Sequence, residues 1–381
     1  MKTTKILGQP SWRLRSTAVE AWLTRLGGQL GPVTFRLGRR SVQPYAVAPW
    51  LGEPLPRGLP AVLRVLRGDF FCLPFGGPGK DPRPGEHYPV HGYTANAPWR
   101  RPRLERAAGR LLFRAELHSP YPRGTVIKEI MLRDGHTAVY SRHILAGMKG
   151  PVAVAHHPML QFPPRPGAGL IATSAIKFGQ VRPGRTADPI TGGYSSLEPG
   201  AVFSSLRRVP LLGGGVADLT SYPARLGYED FVMVASRLGA PFAWTAVTRP
   251  EEGYVWFLLK DPKVLPSTFF WFSNGGLHAP PARGRLRGIL GVEDIAGYFG
   301  FAPGREPKSN PFRARHHPTF ARLDPRRPLT VSIISGVAAI PAGFGRVNAI
   351  RASGPGEITL HSGKKRVTIP LEHEFLRSRP A

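Results

Sequence analysis

The chain has one cysteine, Cys72, in 381 residues. A single thiol cannot build an internal disulfide framework or a cysteine-based zinc site. Long apolar runs are missing as well. No stretch reaches the roughly 18 apolar residues of a spanning helix. Met1–Pro10 is short and polar, without the apolar centre of a secretory signal. These absences predict a protein with no membrane segment and, by default, a cytoplasmic one.

Acidic residues are also scarce: 24 Asp and Glu stand against 52 Lys and Arg, for a net charge of +28. Such a balance attracts phosphate backbones, so nucleic acid has to be weighed as a partner. The basic residues are scattered, however. The densest groups are Arg100–Arg101–Pro102–Arg103, Arg283-x-Arg285-x-Arg287 and Lys364–Lys365–Arg366. No predicted helix carries a basic stripe, and Arg far outnumbers Lys, as GC-rich coding produces. Composition is the preferred source of the charge, and nucleic acid is kept as the alternative partner.

The chain also lacks a GxGxxG turn, a P-loop, a βαβ alternation and an internal repeat. What it has is turn-forming residues, 45 Gly and 42 Pro, and 41% apolar residues, enough for a large core. Val19–Leu37 carries apolar residues near alternate positions around Gly27–Gly28 and reads as a hairpin. Further short strands are expected at Ala61–Leu66, Asp69–Leu73, Arg110–Leu117, Thr125–Leu132, Thr137–Ile144, Val152–Ala155, Phe231–Ala235, Trp244–Thr248, Tyr254–Leu259, Phe269–Phe272, Leu286–Val292, Leu329–Ile334, Glu357–His361 and Lys365–Ile369. Val292–Phe299 is a candidate helix, and Asp230–Leu238 fits helix and strand patterns alike. Pro163–Arg185 and Phe301–Arg327 read as loops. The fold class is all-β, a large sandwich or barrel. Composition shifts nowhere, so residues 1–381 form one expected domain.

Four segments could carry chemistry. Phe70–Trp99 runs from an apolar strand into a polar loop with His87, His91, Asn96 and Trp99. Imidazole and amide groups bond sugar hydroxyls, and an indole face packs on a ring's C–H surface. A loop stapled by its own side chains is the competing reading. In Val152–Phe162, adjacent His156 and His157 on an extended chain point to opposite faces, so at most one serves a given pocket. No HxH or HExxH spacing completes a metal site, and none is expected. Leu286–Phe299 brings Glu293–Asp294 to an apolar strand, where desolvation raises a carboxyl pKa and suits a general base. A surface turn is the alternative there, as it is for Glu229–Asp230 in Leu226–Val234.

In order and spacing these segments resemble the galactose mutarotase (aldose 1-epimerase) superfamily. VEAWLTRLGGQLGPVTF resembles its opening hairpin. PVHGYTANAPW, Pro89–Trp99, resembles its HG-x-x-x-N-x-x-W stretch. AVAHHPMLQF resembles the strand with its central His, and TSYPARLGYEDFVMV followed by GILGVED its acid-bearing later strands. The match spans Val19 to Phe299. It implies a β-supersandwich and interconversion of α and β anomers of an aldose without a cofactor. It also implies Glu293 as base and His156 or His157 as acid, with His156 aligned to the motif's first His. His91 and Asn96 would hold hydroxyls, Trp99 or Trp271 would stack, and Asp230 would orient or bind. The implied partner is a monosaccharide or sugar derivative, phosphorylated forms included. One departure matters: Ala95 stands where the HGFARN form of the motif carries Arg. That favours, as an alternative, a carbohydrate-binding protein that has lost the chemistry.

Overall fold

A computed structural model describes residues 1–79, 82, 85–184 and 192–378. Two large antiparallel sheets dominate it. The nine-stranded sheet runs in the order Ser221–Tyr222, Gly169–Thr173, Ala243–Arg249, Tyr254–Lys260, Leu329–Ala339, Ala138–Ala146, Arg123–Arg133, Arg110–Pro120, Arg100–Ala107. The eight-stranded sheet is led by Val202–Phe203, Ile176–Val181, Tyr228–Ser236, Ser267–Asn274 and Ile289–Ala296. It continues through Val154–His156 to Phe71–Cys72, with Met159–Gln161 also paired to Ile289–Ala296. A five-stranded N-terminal sheet spans Thr4–Val42, and a three-stranded sheet covers Ala349–Pro370. Among the described residues no helix is long and apolar enough to cross a membrane.

The central strands are buried on both faces, so their side chains divide by parity. In Tyr254–Lys260, Trp256 and Leu258 join the core between the two large sheets. Val255, Phe257 and Leu259 instead pack with Ile350, Ile358 and Leu360 of the C-terminal sheet. The strand Ile289–Ala296 divides likewise. Leu290, Val292 and Ala296 enter the inter-sheet core, whereas Ile289 and Ile295 enter a second cluster on the sheet's outer face. The candidate site is built on that outer face.

The all-β expectation holds, and the Val19–Leu37 hairpin is present as Val19–Thr24 and Leu30–Leu37. Gly27 and Gly28 both take positive φ in its turn. A Cβ on Gly27 would lie 2.4 Å from the Ala95 carbonyl oxygen, so the glycines let the turn sit directly beneath the His91–Trp99 loop. Four local expectations change. Ala61–Leu66 is a single helical turn, Ala61–Arg64, because side chains satisfy its backbone where a ladder would. The Val62 N–H donates to Asn96 Oδ1 and the Val62 carbonyl accepts from Gln29 Nε2. Val292–Phe299 is not a helix: residues 292–296 continue a strand paired on both sides. Pro163–Arg185 contains the strands Gly169–Thr173 and Ile176–Val181, drawn in by pairing with Ala243–Arg249 and Tyr228–Ser236. Its last residue, Arg185, lies outside the described residues. Phe301–Arg327 includes a helical turn, Pro311–Ala314, and the strand Ala321–Leu323.

One ion pair ties the large sheets together through the core. Lys260 Nζ lies 2.7 Å from Asp294 Oδ1, and both side chains are buried. The ammonium also donates to Thr268 Oγ1, and Thr268 donates to the same carboxylate oxygen. Removing one partner leaves an uncompensated buried charge, which costs more than the pair contributes. Asp294→Ala is therefore expected to lower unfolding free energy by about 3–5 kcal/mol in urea denaturation. The Lys260→Met/Asp294→Leu double variant should recover most of that loss, and equal instability of the two variants would contradict the assignment.

Candidate active site

The outer face of the eight-stranded sheet holds a cavity of about 340 Å³. Its polar floor consists of His91, His157, Glu229 and Glu293. Strand parity selects them. Asp294 faces the inter-sheet core, so Glu293 points the other way. On Tyr228–Ser236, Glu229 and Phe231 line the cavity, whereas Val232 enters the core. On Val154–His156 and the residue beyond, His156 turns to the core and His157 to the cavity.

The Glu293–His157 contact is the centre of the site. His157 Nε2 lies 3.2 Å from Glu293 Oε1, and both side chains are buried. Burial pushes the Glu293 carboxyl well above its ordinary range and the His157 imidazole well below its own. Both shifts favour the uncharged forms, a carboxylic acid beside a neutral imidazole, and in those forms the pair holds one dissociable proton. Glu293 Oε2, His157 Nδ1 and His91 Nδ1 are buried without a hydrogen-bond partner. Natural interiors rarely leave such atoms unpaired, and a site that awaits a ligand is one reason they do. Gly291 keeps room for the carboxyl: a Cβ there would lie 2.9 Å from Glu293 Oε1 and 3.0 Å from the Trp271 Cβ.

His157 is held from two directions. Its backbone N–H donates to Asp69 Oδ1 at 3.0 Å, and its ring stacks on Phe70, with centroids 4.5 Å apart. Asp69 uses its other oxygen on His156 Nδ1 at 3.0 Å, and His156 Nε2 meets His143 Nδ1 at 3.2 Å. His156 is thus a core residue, and the alignment that favoured it over His157 as the groove-facing histidine is corrected. His91 adopts φ +62, a left-handed conformation costly for a residue with a side chain. Rings of Phe70, Phe75 and His157, with centroids 5.2–5.8 Å from its own, hold it there. The next residue must be glycine, since a Cβ on Gly92 would lie 1.8 Å from the Leu73 carbonyl oxygen. Enclosure lowers the His91 pKa to about 4.

Three further expected ligand contacts lie elsewhere. Asn96 is used up by the fold: Oδ1 accepts from Val62 N, and Nδ2 donates to the carbonyls of Val90 and Gly92. Trp99 is fully buried in the inter-sheet core, its indole donating to the Thr94 carbonyl. Asp230 faces away from the cavity. It accepts from Ser195 and Ser196 hydroxyls, the Ser196 and Leu197 N–H groups and Arg225. Trp271 does line the cavity.

Glu229, next to the expected Asp230, takes the cavity position. Its oxygens accept from Trp271 Nε1 and Ser273 Oγ. Burial raises its pKa to about 7 in spite of those bonds. No signal in the sequence separates it from Asp230, since Phe231 and Met233 on its parity and Val232 and Val234 on the other are equally apolar. Among the described residues no group of three or more His, Cys, Asp or Glu side chains is placed to hold a metal.

The raised Glu229 pKa links stability to pH. The protonated form is favoured in the folded state, so its contribution is complete below about pH 4.5 and is lost as pH rises through about 7. Glu229→Gln should flatten the fall in Tm between pH 5 and 8, removing a dependence on the order of 3 kcal/mol. An unchanged pH dependence in that variant would show that Glu229 titrates normally.

No protein-family model matches this chain, and no curated protein sequence does. Solved structures do match. A candidate aldose 1-epimerase from Klebsiella pneumoniae aligns with TM-score 0.60 at 12% identity, over 89% of this chain and 82% of that one. A candidate aldose 1-epimerase from Escherichia coli K12 aligns with TM-score 0.56 at 14% identity, over 87% and 100%. A galactose mutarotase-like protein from Clostridium acetobutylicum gives 0.51 at 11%, over 89% and 98%. The chain thus has the galactose mutarotase-like fold.

Proposed function

We propose that the chain is a mutarotase-like isomerase that interconverts the anomers of a sugar by acid–base ring opening. The observation that carries this reading is the buried Glu293–His157 contact with one proton to exchange. Ring opening needs a proton taken from the C1 hydroxyl and a proton given to the ring oxygen. The C1–O5 bond breaks as the C1 carbonyl forms. Rotation about C1–C2 presents the other face, and reclosure reverses both transfers. A pair sharing one proton suits this cycle, because either member is acid in one direction and base in the other. The two groups, now touching each other, would each turn to one oxygen of the substrate. His91 would bond a hydroxyl, and Trp271 would offer its ring to the sugar's C–H face. No cofactor enters these steps. One domain over residues 1–381 belongs to the same proposal, supported by the interleaving of early and late strands in the nine-stranded sheet.

A second reading, sugar binding without turnover, is favoured by Asn96 and Ala95. Asn96 is engaged in the fold, and Ala95 is buried, so neither contributes a clamp. Mutarotation followed by polarimetry or NMR decides between the two. The isomerase reading expects a catalysed rate, with Glu293→Gln and His157→Asn each lowering kcat/KM about 10²–10⁴-fold. Binding with no catalysed rate would favour the second.

The pH profile follows from the two shifts. Below the lowered His157 pKa both groups are protonated and the base is lost. Above the raised Glu293 pKa the shared proton is lost. The rate should hold a plateau between the two shifted values, with its acid limb below the ordinary imidazole value of about 6.5 and its alkaline limb well above the ordinary carboxyl value. A single limb at an ordinary carboxyl pKa would contradict the shared-proton pair.

A further inference from the structure

The cavity offers a ligand few polar contacts. Glu229 already accepts two hydrogen bonds, and Glu293 Oε1 and His157 Nε2 face each other. The indole of Trp50 donates to the Leu63 carbonyl, and that of Trp271 to Glu229. What remains unpaired on these lining residues is Glu293 Oε2, His157 Nδ1 and His91 Nδ1. The rest of the wall is hydrocarbon, with Val62, Leu63 and Leu66 on one segment and Leu277, Pro281 and Leu286 on another. No Arg or Lys is among the described lining residues. Loss of hydration shifts the buried polar groups toward their uncharged forms, lowering the His91 pKa to about 4 and raising that of Glu229 to about 7.

A free aldohexose fits this wall poorly. Each of its hydroxyls carries one donor and two acceptor sites, and burying most of them against leucine and proline leaves them unpaired. A sugar phosphate fits worse, since its charge would meet no cation among the described lining residues. About 340 Å³ falls within the range of cavities that enclose drug-sized ligands.

We propose that the cavity takes a reducing sugar bearing a hydrocarbon substituent of about phenyl size, in preference to a free or phosphorylated monosaccharide. This rests on the reading that the anomeric centre sits at Glu293 and His157. The polar floor then holds the hemiacetal end, and the substituent fills the aliphatic wall.

Trp50 and Trp271 line the cavity and report occupancy by fluorescence. The full chain is titrated with galactose, galactose 6-phosphate, and the 3-O-benzyl and 6-O-benzyl ethers of galactose, so that the position of the substituent is not presumed. At least one ether should bind about tenfold tighter than galactose, with the phosphate weakest. Leu63, half-buried at the wall, gives a variant that leaves the floor intact. Leu63→Ser should remove that preference about tenfold while galactose binding stays unchanged and the circular dichroism spectrum stays folded. Galactose binding as tightly as both ethers, phosphate binding tightest, or no binding of either ether would each overturn the proposal. NMR anomer exchange on the same ligands separates it from the isomerase reading. Tight ether binding without catalysed exchange sinks the isomerase and leaves the ligand class standing. Catalysed exchange of galactose with no ether preference does the reverse.

Discussion

Two-sided burial of the eight-stranded sheet is the constraint on which the site depends. A strand sends successive side chains to opposite faces, and here both faces are dry. Each adjacent polar pair is therefore split between two environments. Asp294, His156 and Asp230 face inward and have their partners: Lys260 and Thr268, Asp69 and His143, Arg225 with two serines. Glu293, His157 and Glu229 face outward, where burial shifts each pKa toward the uncharged form. Three doublets thus give one structural and one cavity-facing residue each, by the same geometric rule.

The outward residues are costly to keep. His91 sits in a left-handed backbone conformation, and unpartnered nitrogens and a carboxyl oxygen are buried around it. The inward residues hold them in place. Asp69 is the link, since one oxygen fixes the His157 backbone and the other joins the His156–His143 pair. Phe70 and Phe71 extend this on both sides, stacking on His157 and His143. The position of the candidate acid–base histidine is thereby set by the inter-sheet core.

Much of this was legible in the residues. The Gly27–Gly28 hairpin, most strands and the likeness to galactose mutarotases all followed from alternation, turn residues and motif order. Parity was not legible. Alternation of apolar and polar residues reveals which way a strand faces only when one face meets water, and VAVAHHPM and GVEDIA are buried on both. Hence His156 was favoured over His157, and Asp230 over Glu229. Asn96 and Trp99 were misread for another reason. Their motif is present, but in this chain it staples the loop to the helical turn at Ala61–Arg64 and to the core. The strands within Pro163–Arg185 were hidden by flanking Pro and Gly, and only pairing with distant strands defines them.

The nine-stranded sheet ends at Arg100–Ala107, an exposed edge strand of sequence RRPRLERA. Its outer rim would otherwise be an open template for another strand. With four arginines and one glutamate on that rim, a second copy approaching edge to edge would set guanidinium against guanidinium, which strand pairing does not tolerate. Part of the cationic excess thus lies along an exposed sheet edge, where like charges disfavour polymerisation of a β-rich chain through its own sheet.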